Sequence, residues 1–163
     1  MKSLSRKASK LFILTAVLAF SAYLLFLSPS LLNLERNAEA DSLNITNVVM
    51  QYVKRYYVDK SAVQPKAMLV EGLNRLEQIV DQVLVDFPGG EDGSVFEVQV
   101  AREKAAFDMS GVNDLDLVTS KLEQVFEFIM PHLTGNDPKI SDIEYSVLDQ
   151  MLTSLDQHSG IIT

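Results

Sequence analysis

The N-terminal leader constrains the chain more than any other feature of its sequence. Four basic side chains (Lys2, Arg6, Lys7 and Lys10) precede an uncharged, mostly apolar run of 17 residues from Leu11 to Leu27. A basic stretch followed by an apolar run is typical of an export signal, and its positive end stays in the cytoplasm. A buried core helix would also be apolar, but the basic flank and the lack of a polar face argue against it. We therefore expect the rest of the chain to be exported.

The length of this run and its surroundings bear on whether the leader is cleaved. As a helix, the run spans about 26 Å, slightly less than the roughly 30 Å hydrocarbon core of a bilayer. A triplet suited to signal peptidase, Ala38-Glu39-Ala40, lies 13 residues beyond Leu27, which is far for a cleavage site. We predict that residues 1–40 form an uncleaved anchor in the inner (cytoplasmic) membrane, with the body on the periplasmic side. Cleavage would instead release the body into the periplasm.

The exported body, residues 41–163, is acidic. It carries nine basic and 20 acidic side chains, a net charge of −11, so binding to nucleic acid is not expected. The chain has no cysteine, which excludes disulfides, thiolate metal sites and a cysteine nucleophile. His132 and His158 are 26 positions apart, so there is no HExxH-type zinc helix. We predict no cofactor and no metal site.

Apolar residues at three- and four-residue spacing predict two helices in the first part of the body. The first runs from Thr46 to Val58, with Asn44 or Thr46 as its N-cap. The second begins at Pro65, because the fixed φ of proline suits the first helical position. Gly72 within it suggests a close helix contact. The predicted apolar faces are Val48, Val49, Tyr52, Val53 and Tyr56 in the first helix, and Leu69, Leu73, Leu76, Val80 and Val83 in the second.

Two more helices are predicted near the C-terminus. Asp114 or Asn113 caps the third helix, which ends at Pro131 and Gly135. Ser141-Asp142-Ile143-Glu144 opens the fourth as a capping box, in which Ser141 and Glu144 satisfy free backbone N–H groups. The predicted faces are Leu115, Val118, Leu122, Val125 and Ile129, and then Ile143, Val147, Met151, Leu152 and Leu155.

The segment between the second and third helices has strand periodicity. Val83–Phe87, Phe96–Val100 and Ala105–Met109 surround a dense turn signal at Pro88–Gly93. They predict a small antiparallel meander of two or three strands at about residues 83–109. The predicted fold class is therefore mainly α (α+β): a membrane or signal helix, followed by a four-helix region with this β element.

No catalytic, cofactor-binding or metal-ligating set can be assigned from residue patterns. The acids at Asp108, Asp114 and Asp116 lack the glycine and terminal glutamate of an EF-hand loop. His158 lies beside Ser159, but adjacency in sequence does not create a nucleophile–base pair, because that geometry comes from the fold.

The C-terminal segment nevertheless carries a family resemblance. It resembles the "mL-x-x-LDPHS" signature found ahead of the PDZ domain in C-terminal processing peptidases, the tail-specific serine proteases, with Gln157 in place of the usual proline. Upstream, Val53–Asp59 and Pro65–Leu76 are similar to the family's "YVD…L-x-x-x-A-x-x-G(M/L)" segment. About 65 residues, Glu77 to Asp142, separate the two blocks, which are almost contiguous in compact family members. The signature positions are Met151, Leu152, Leu155, Asp156, His158 and Ser159.

This resemblance implies the N-terminal, non-catalytic portion of an exported serine endopeptidase, an assembly or docking region. The PDZ domain and the catalytic serine and lysine would lie beyond Thr163. Ser159 is not the family nucleophile, and this chain alone is not expected to hydrolyse peptides. Gly160–Thr163 looks like the first strand of that following domain. The alternative is a membrane-anchored periplasmic adaptor or protein-binding module with no enzymatic role.

The sequence also suggests partners. Residues 11–27 would bind the membrane, and the body would bind protein substrates or partner proteins. The stripe Leu69–Val83 and the face Val147–Leu155 would support a weak homodimer if they were not covered within the monomer. Packing inside the core of the monomer is the alternative.

Overall fold

The computed structural model describes residues 43–156 and 158–161, which belong to one compact unit, Asp41–Thr163. In this part of the chain, four α-helices and a three-stranded antiparallel sheet form an α+β fold, which confirms the predicted architecture of the body. The elements are α1 (Asn44–Tyr56), α2 (Pro65–Ile79), β1 (Val83–Asp86), β2 (Val95–Val100), β3 (Glu103–Asp108), α3 (Leu115–Ile129), a 3-10 turn (Met130–His132) and α4 (Ile140–Thr153).

The predicted leader, residues 1–40 with the apolar run Leu11–Leu27, lies outside the described residues. Among the helices that are described, none is both long and apolar enough to cross a membrane. The signal peptide or anchor therefore stays a prediction.

Helix α1 turns a different face to the core from the predicted one. It begins at Asn44 with Leu43 as its N-cap residue, so the prediction of Asn44 or Thr46 as the cap is wrong. Its buried side chains are Thr46, Met50 and Val53, with Leu43 packed beside them. Three of the five residues predicted to face the core are instead exposed: Val48, Tyr52 and Tyr56.

Helix α2 begins at Pro65, as predicted, but it ends before the apolar stripe does. Val80 is the C-cap residue, and the Val83 N–H donates to the Val80 carbonyl at 2.8 Å, closing a turn. Val83 then belongs to β1, so a helical stripe that continues to this residue is wrong. The turn changes the chain from helix to strand while Val80 and Val83 both stay buried.

Helices α2 and α4 pack closely at Gly72. A Cβ at this position would lie 2.9 Å from the Cγ and Sδ atoms of Met151 and 3.2 Å from a methyl group of Val147. These distances are shorter than ordinary van der Waals contact, so the missing side chain lets the two helices approach. The predicted close helix contact is confirmed.

The sheet has the order β1-β2-β3, with both pairs antiparallel. Its inward face contributes Phe96, Val98 and Val100 to the core, and Phe96 stacks on Phe107 of β3 with 5.1 Å between ring centroids. Ala101, in the two-residue turn between β2 and β3, has a φ of 54°, which costs energy for a residue with a Cβ. The predicted meander is confirmed.

The last two helices differ in how their N-termini are capped. Asp114 caps α3 and accepts from the Leu117 N–H at 2.9 Å, as one of the two predicted caps would. Helix α4 begins at Ile140 with Lys139 as its N-cap residue, so the predicted capping box at Ser141–Glu144 is wrong. The Glu144 carboxyl group bonds to Thr46 of α1 instead.

The stripes that suggested a homodimer lie inside the monomer. Leu69, Leu73 and Leu76 of α2 are buried, and so are Val147 and Met151 of α4. They join one continuous core with the inward residues of the sheet and of α3. The weak homodimer stays a prediction, without the exposed surface that suggested it.

We predict that Gly72→Val destabilises the unit Asp41–Thr163 by about 1–3 kcal/mol, because the added atoms overlap Met151 and Val147. Ala67→Val is the matched control, since Ala67 is an exposed residue of the same helix. Urea unfolding measures both. Equal stabilities for the two variants would contradict the close α2–α4 contact.

Candidate functional site

The carboxylate of Asp156 gathers four hydrogen bonds just after the end of α4. Its Oδ2 atom accepts from the Tyr57 hydroxyl at 2.7 Å and from the Ser159 hydroxyl at 2.6 Å. Its Oδ1 atom accepts from the backbone N–H groups of His158 and Ser159, each at 2.8 Å. We call Asp156, Tyr57 and Ser159 the Asp156 junction.

This junction brings together the two sequence blocks that carry the family resemblance. Tyr57 lies in the upstream block, directly after α1, whereas Asp156 and Ser159 belong to the C-terminal signature. Of the other signature positions, Met151, Leu152 and Leu155 are buried in the core, and His158 is exposed. The signature therefore combines a core-facing helix end with a polar turn.

The hydrogen bonds fix the charge state of the junction. The Ser159 and Tyr57 hydroxyls, with the His158 N–H, stabilise the ionised carboxylate and hold the pKa of Asp156 well below its ordinary value. In return, the bond to Asp156 raises the pKa of the Tyr57 phenol above its ordinary value. At neutral pH the junction is a carboxylate with neutral hydroxyl donors.

These charge states limit the chemistry that Ser159 can perform here. A general base must accept the proton of the hydroxyl it activates, and it does so best when its pKa lies near the working pH. The lowered pKa of Asp156 makes it a weak base for its partner Ser159. The contact therefore orients the turn after α4.

A second carboxylate, on α4, accepts a hydrogen bond from the residues after the junction. Asp149 Oδ1 accepts from the Ile161 N–H at 2.9 Å, and the Ile161 side chain packs against the core. A Cβ on Gly160 would lie 2.9 Å from the same oxygen, so glycine permits this approach. Residues 160 and 161 belong to no strand in the described part of the chain, and the first strand of a following domain stays a prediction. Residues 162 and 163 lie outside the described residues.

A buried carboxyl group joins the other end of α1 to α4. Both Glu144 and Thr46 are only 1% exposed. The Thr46 N–H and hydroxyl donate to Glu144 Oε1 at 2.9 and 2.7 Å. Burial disfavours the charged form and raises the pKa of Glu144, although the two bonds from Thr46 oppose the shift. Sequence reasoning missed this pair because its members are 98 positions apart.

The exposed side of α1 is a further feature that sequence reasoning missed. Val48, Tyr52, Arg55 and Tyr56 border one shallow surface, which we call the α1 outer face. The Tyr52 and Tyr56 rings are 5.3 Å apart between centroids. On a neighbouring side of the helix, Lys54 forms an ion pair with Asp116 of α3.

Other side chains considered for chemistry have separate structural roles. Asp108 accepts from the Ser110 N–H, Asp114 caps α3, and Asp116 pairs with Lys54. His132 Nε2 lies 3.7 Å from an oxygen of Glu103. Within residues 43–156 and 158–161, no group of three or more histidine, aspartate or glutamate side chains could hold a metal ion.

Comparison with known proteins found no match. No family model matches the chain, and no curated protein or solved structure matches it significantly. The resemblance to C-terminal processing peptidases therefore stays a prediction that depends on the quoted motifs.

The burial of Glu144 predicts a pH-dependent stability. Because its pKa is raised on folding, its contribution is complete below the ordinary glutamate pKa of about 4.3 and is lost as the pH rises through the raised value. Glu144→Gln keeps an acceptor for Thr46 but does not titrate. We therefore expect the wild-type unit to lose stability relative to Glu144→Gln as the pH rises.

Urea unfolding of both proteins from about pH 4 to pH 8 measures this difference, since the interval begins near the ordinary glutamate pKa. Glu127→Gln is the control, because Glu127 is exposed on α3. A stability difference between the wild type and Glu144→Gln that stays constant over this interval would refute the buried titrating carboxyl.

Proposed function

We propose that this chain is the non-catalytic N-terminal region of an exported C-terminal processing serine endopeptidase. Residues 11–27 would anchor it in the inner membrane, and the helical body would be a docking or assembly region on the periplasmic side. Its partners would be protein substrates or other subunits of a protease assembly.

The observation that carries this proposal is the hydrogen bond between the Tyr57 hydroxyl and Asp156 Oδ2. Chance similarity of two separate segments gives no reason for them to lie in contact. In this fold they meet although 98 residues lie between Tyr57 and Asp156. If the two blocks descend from one compact unit of the peptidase family, they should still be in contact. The sheet and α3 would then be an insertion between them.

The arrangement of the junction also supports a docking role. The carboxylates of Asp156 and Asp149 accept the N–H groups of His158, Ser159 and Ile161, so the chain leaves α4 along a fixed path. A segment held in this way can set the orientation of whatever domain follows it. In the peptidase family that domain would be the PDZ domain.

The alternative function is a membrane-anchored periplasmic adaptor without enzymatic role. The α1 outer face is the observation that favours it, because exposed tyrosine and valine side chains on one side of a helix are suited to partner binding.

We predict that the reading frame of the gene continues past codon 163 into a PDZ-like segment and then into serine- and lysine-containing protease motifs. Sequencing the gene downstream of this codon, in all three frames, tests the proposal directly. A stop codon followed by an unrelated gene would contradict the peptidase proposal and favour the adaptor.

A further inference from the structure

The exposed apolar side chains of the body are concentrated on α1 and just after it. Val48 is 57% exposed, Tyr52 and Tyr56 are each 63% exposed, and Val58 is 97% exposed. The first three lie at i, i+4 and i+8, so they follow one another along a single side of the helix. The other side of α1 packs on α3 and α4.

The segment that forms α1 has a charge opposite to that of the rest of the body, although Asn47 and Gln51, which border the same surface, donate to Glu123 and Asp116 of α3. No acidic residue occurs between Ser42 and Val58, whereas Lys54 and Arg55 are both in this segment. Lys54 pairs with Asp116 of α3, but Arg55 has no ion pair among the described residues. Arg55 is exposed and borders the same surface as Tyr52 and Tyr56.

Few residues separate α1 from the proposed anchor in the sequence. Sixteen residues separate Leu27 from Asn44. Even when fully extended, they would reach no more than about 55 Å. A short tether of this kind gives an effective concentration in the millimolar range, so a weak contact with the bilayer would be occupied.

We propose that the α1 outer face binds the surface of a bilayer that contains anionic lipids. Val48 and the rings of Tyr52 and Tyr56 enter the headgroup region, where tyrosine is favoured, and Arg55 pairs with lipid phosphate. The inference depends on the anchor in the proposed function. It adds a second contact, which would hold the acidic body in one orientation on the membrane.

A bilayer suits this face better than a second copy of the chain does. Self-association through the same patch would bring two Arg55 side chains together. One row of three apolar residues also offers less area than the roughly 1,000 Å² expected of a specific protein interface. A membrane needs no such area, because the tether supplies the concentration.

A tryptophan introduced at position 52 reports on the contact, because the natural chain contains no tryptophan. The full chain with Tyr52→Trp is reconstituted into vesicles of phosphatidylcholine and phosphatidylglycerol, with brominated lipid as a quencher. Leu84→Trp is the matched control, since Leu84 is 53% exposed on the outward face of the sheet. We expect the Tyr52→Trp protein to lose emission and shift to shorter wavelength, whereas the Leu84→Trp protein keeps the spectrum of exposed tryptophan.

A charge reversal tests whether the quenching depends on contact between the α1 outer face and anionic lipid. Arg55→Glu, added to Tyr52→Trp, should reduce the quenching in anionic vesicles. Arg102→Glu should not, because Arg102 is exposed in the β2–β3 turn and does not border the α1 outer face. Circular dichroism checks that each variant keeps its helices.

The remaining outcomes are distinct. A chain that does not float with the vesicles would overturn the anchor and this inference together. If the chain floats, but the Tyr52→Trp protein is quenched no more than the Leu84→Trp protein, only this inference is overturned and the face is left free for a protein partner. The tryptophan at position 52 could instead be shielded to an extent that depends on the protein-to-lipid ratio and not on the brominated lipid. That result would assign the face to a second copy of the chain and would also overturn this inference.

Discussion

Two carboxyl groups hold α1 in place, one on α4 and one in the turn that follows α4. Glu144 receives both donors of Thr46 near the start of α1, and Asp156 receives the hydroxyl of Tyr57 just past its end. The two attachment points are 11 residues apart in sequence, about 16 Å along a helix. Because both ends are fixed, α1 cannot rotate to bury Val48, Tyr52 and Tyr56 without breaking these bonds.

The two carboxyl groups have opposite electrostatic surroundings. Burial dominates at Glu144 and raises its pKa, whereas hydrogen bonds dominate at Asp156 and lower its pKa. Ionisation of Glu144 therefore destabilises the folded unit because the charge is buried, whereas protonation of Asp156 weakens the Asp156 junction. Between these limits neither penalty applies, so we expect the stability of the unit to fall toward both low and high pH.

Much of the fold could be predicted from the sequence because α2, α3 and the strands each have one clear apolar pattern. Leu69, Leu73 and Leu76 identify the buried side of α2, and the alternation at Phe96–Val100 identifies a strand.

The prediction of the buried face of α1 was wrong because this helix carries two apolar stripes, and the buried stripe contains a threonine. Nothing local shows that Thr46 has a buried partner 98 positions away. For the same reason Glu144 fitted a capping box in sequence, since S-x-x-E describes only the first turn of a helix. The signature positions were found from the resemblance, but their contact with Tyr57 required the fold.

The central claim is that the upstream block and the C-terminal signature form one unit through the Asp156 junction. Titration of the side-chain carboxyl carbons by NMR, on the unit Asp41–Thr163, tests it most directly. We expect the pKa of Asp156 to lie below the ordinary aspartate value and that of Glu144 above the ordinary glutamate value. Tyr57→Phe should move the pKa of Asp156 upward and leave Glu144 unchanged. An ordinary pKa for Asp156 that does not respond to Tyr57→Phe would contradict the account.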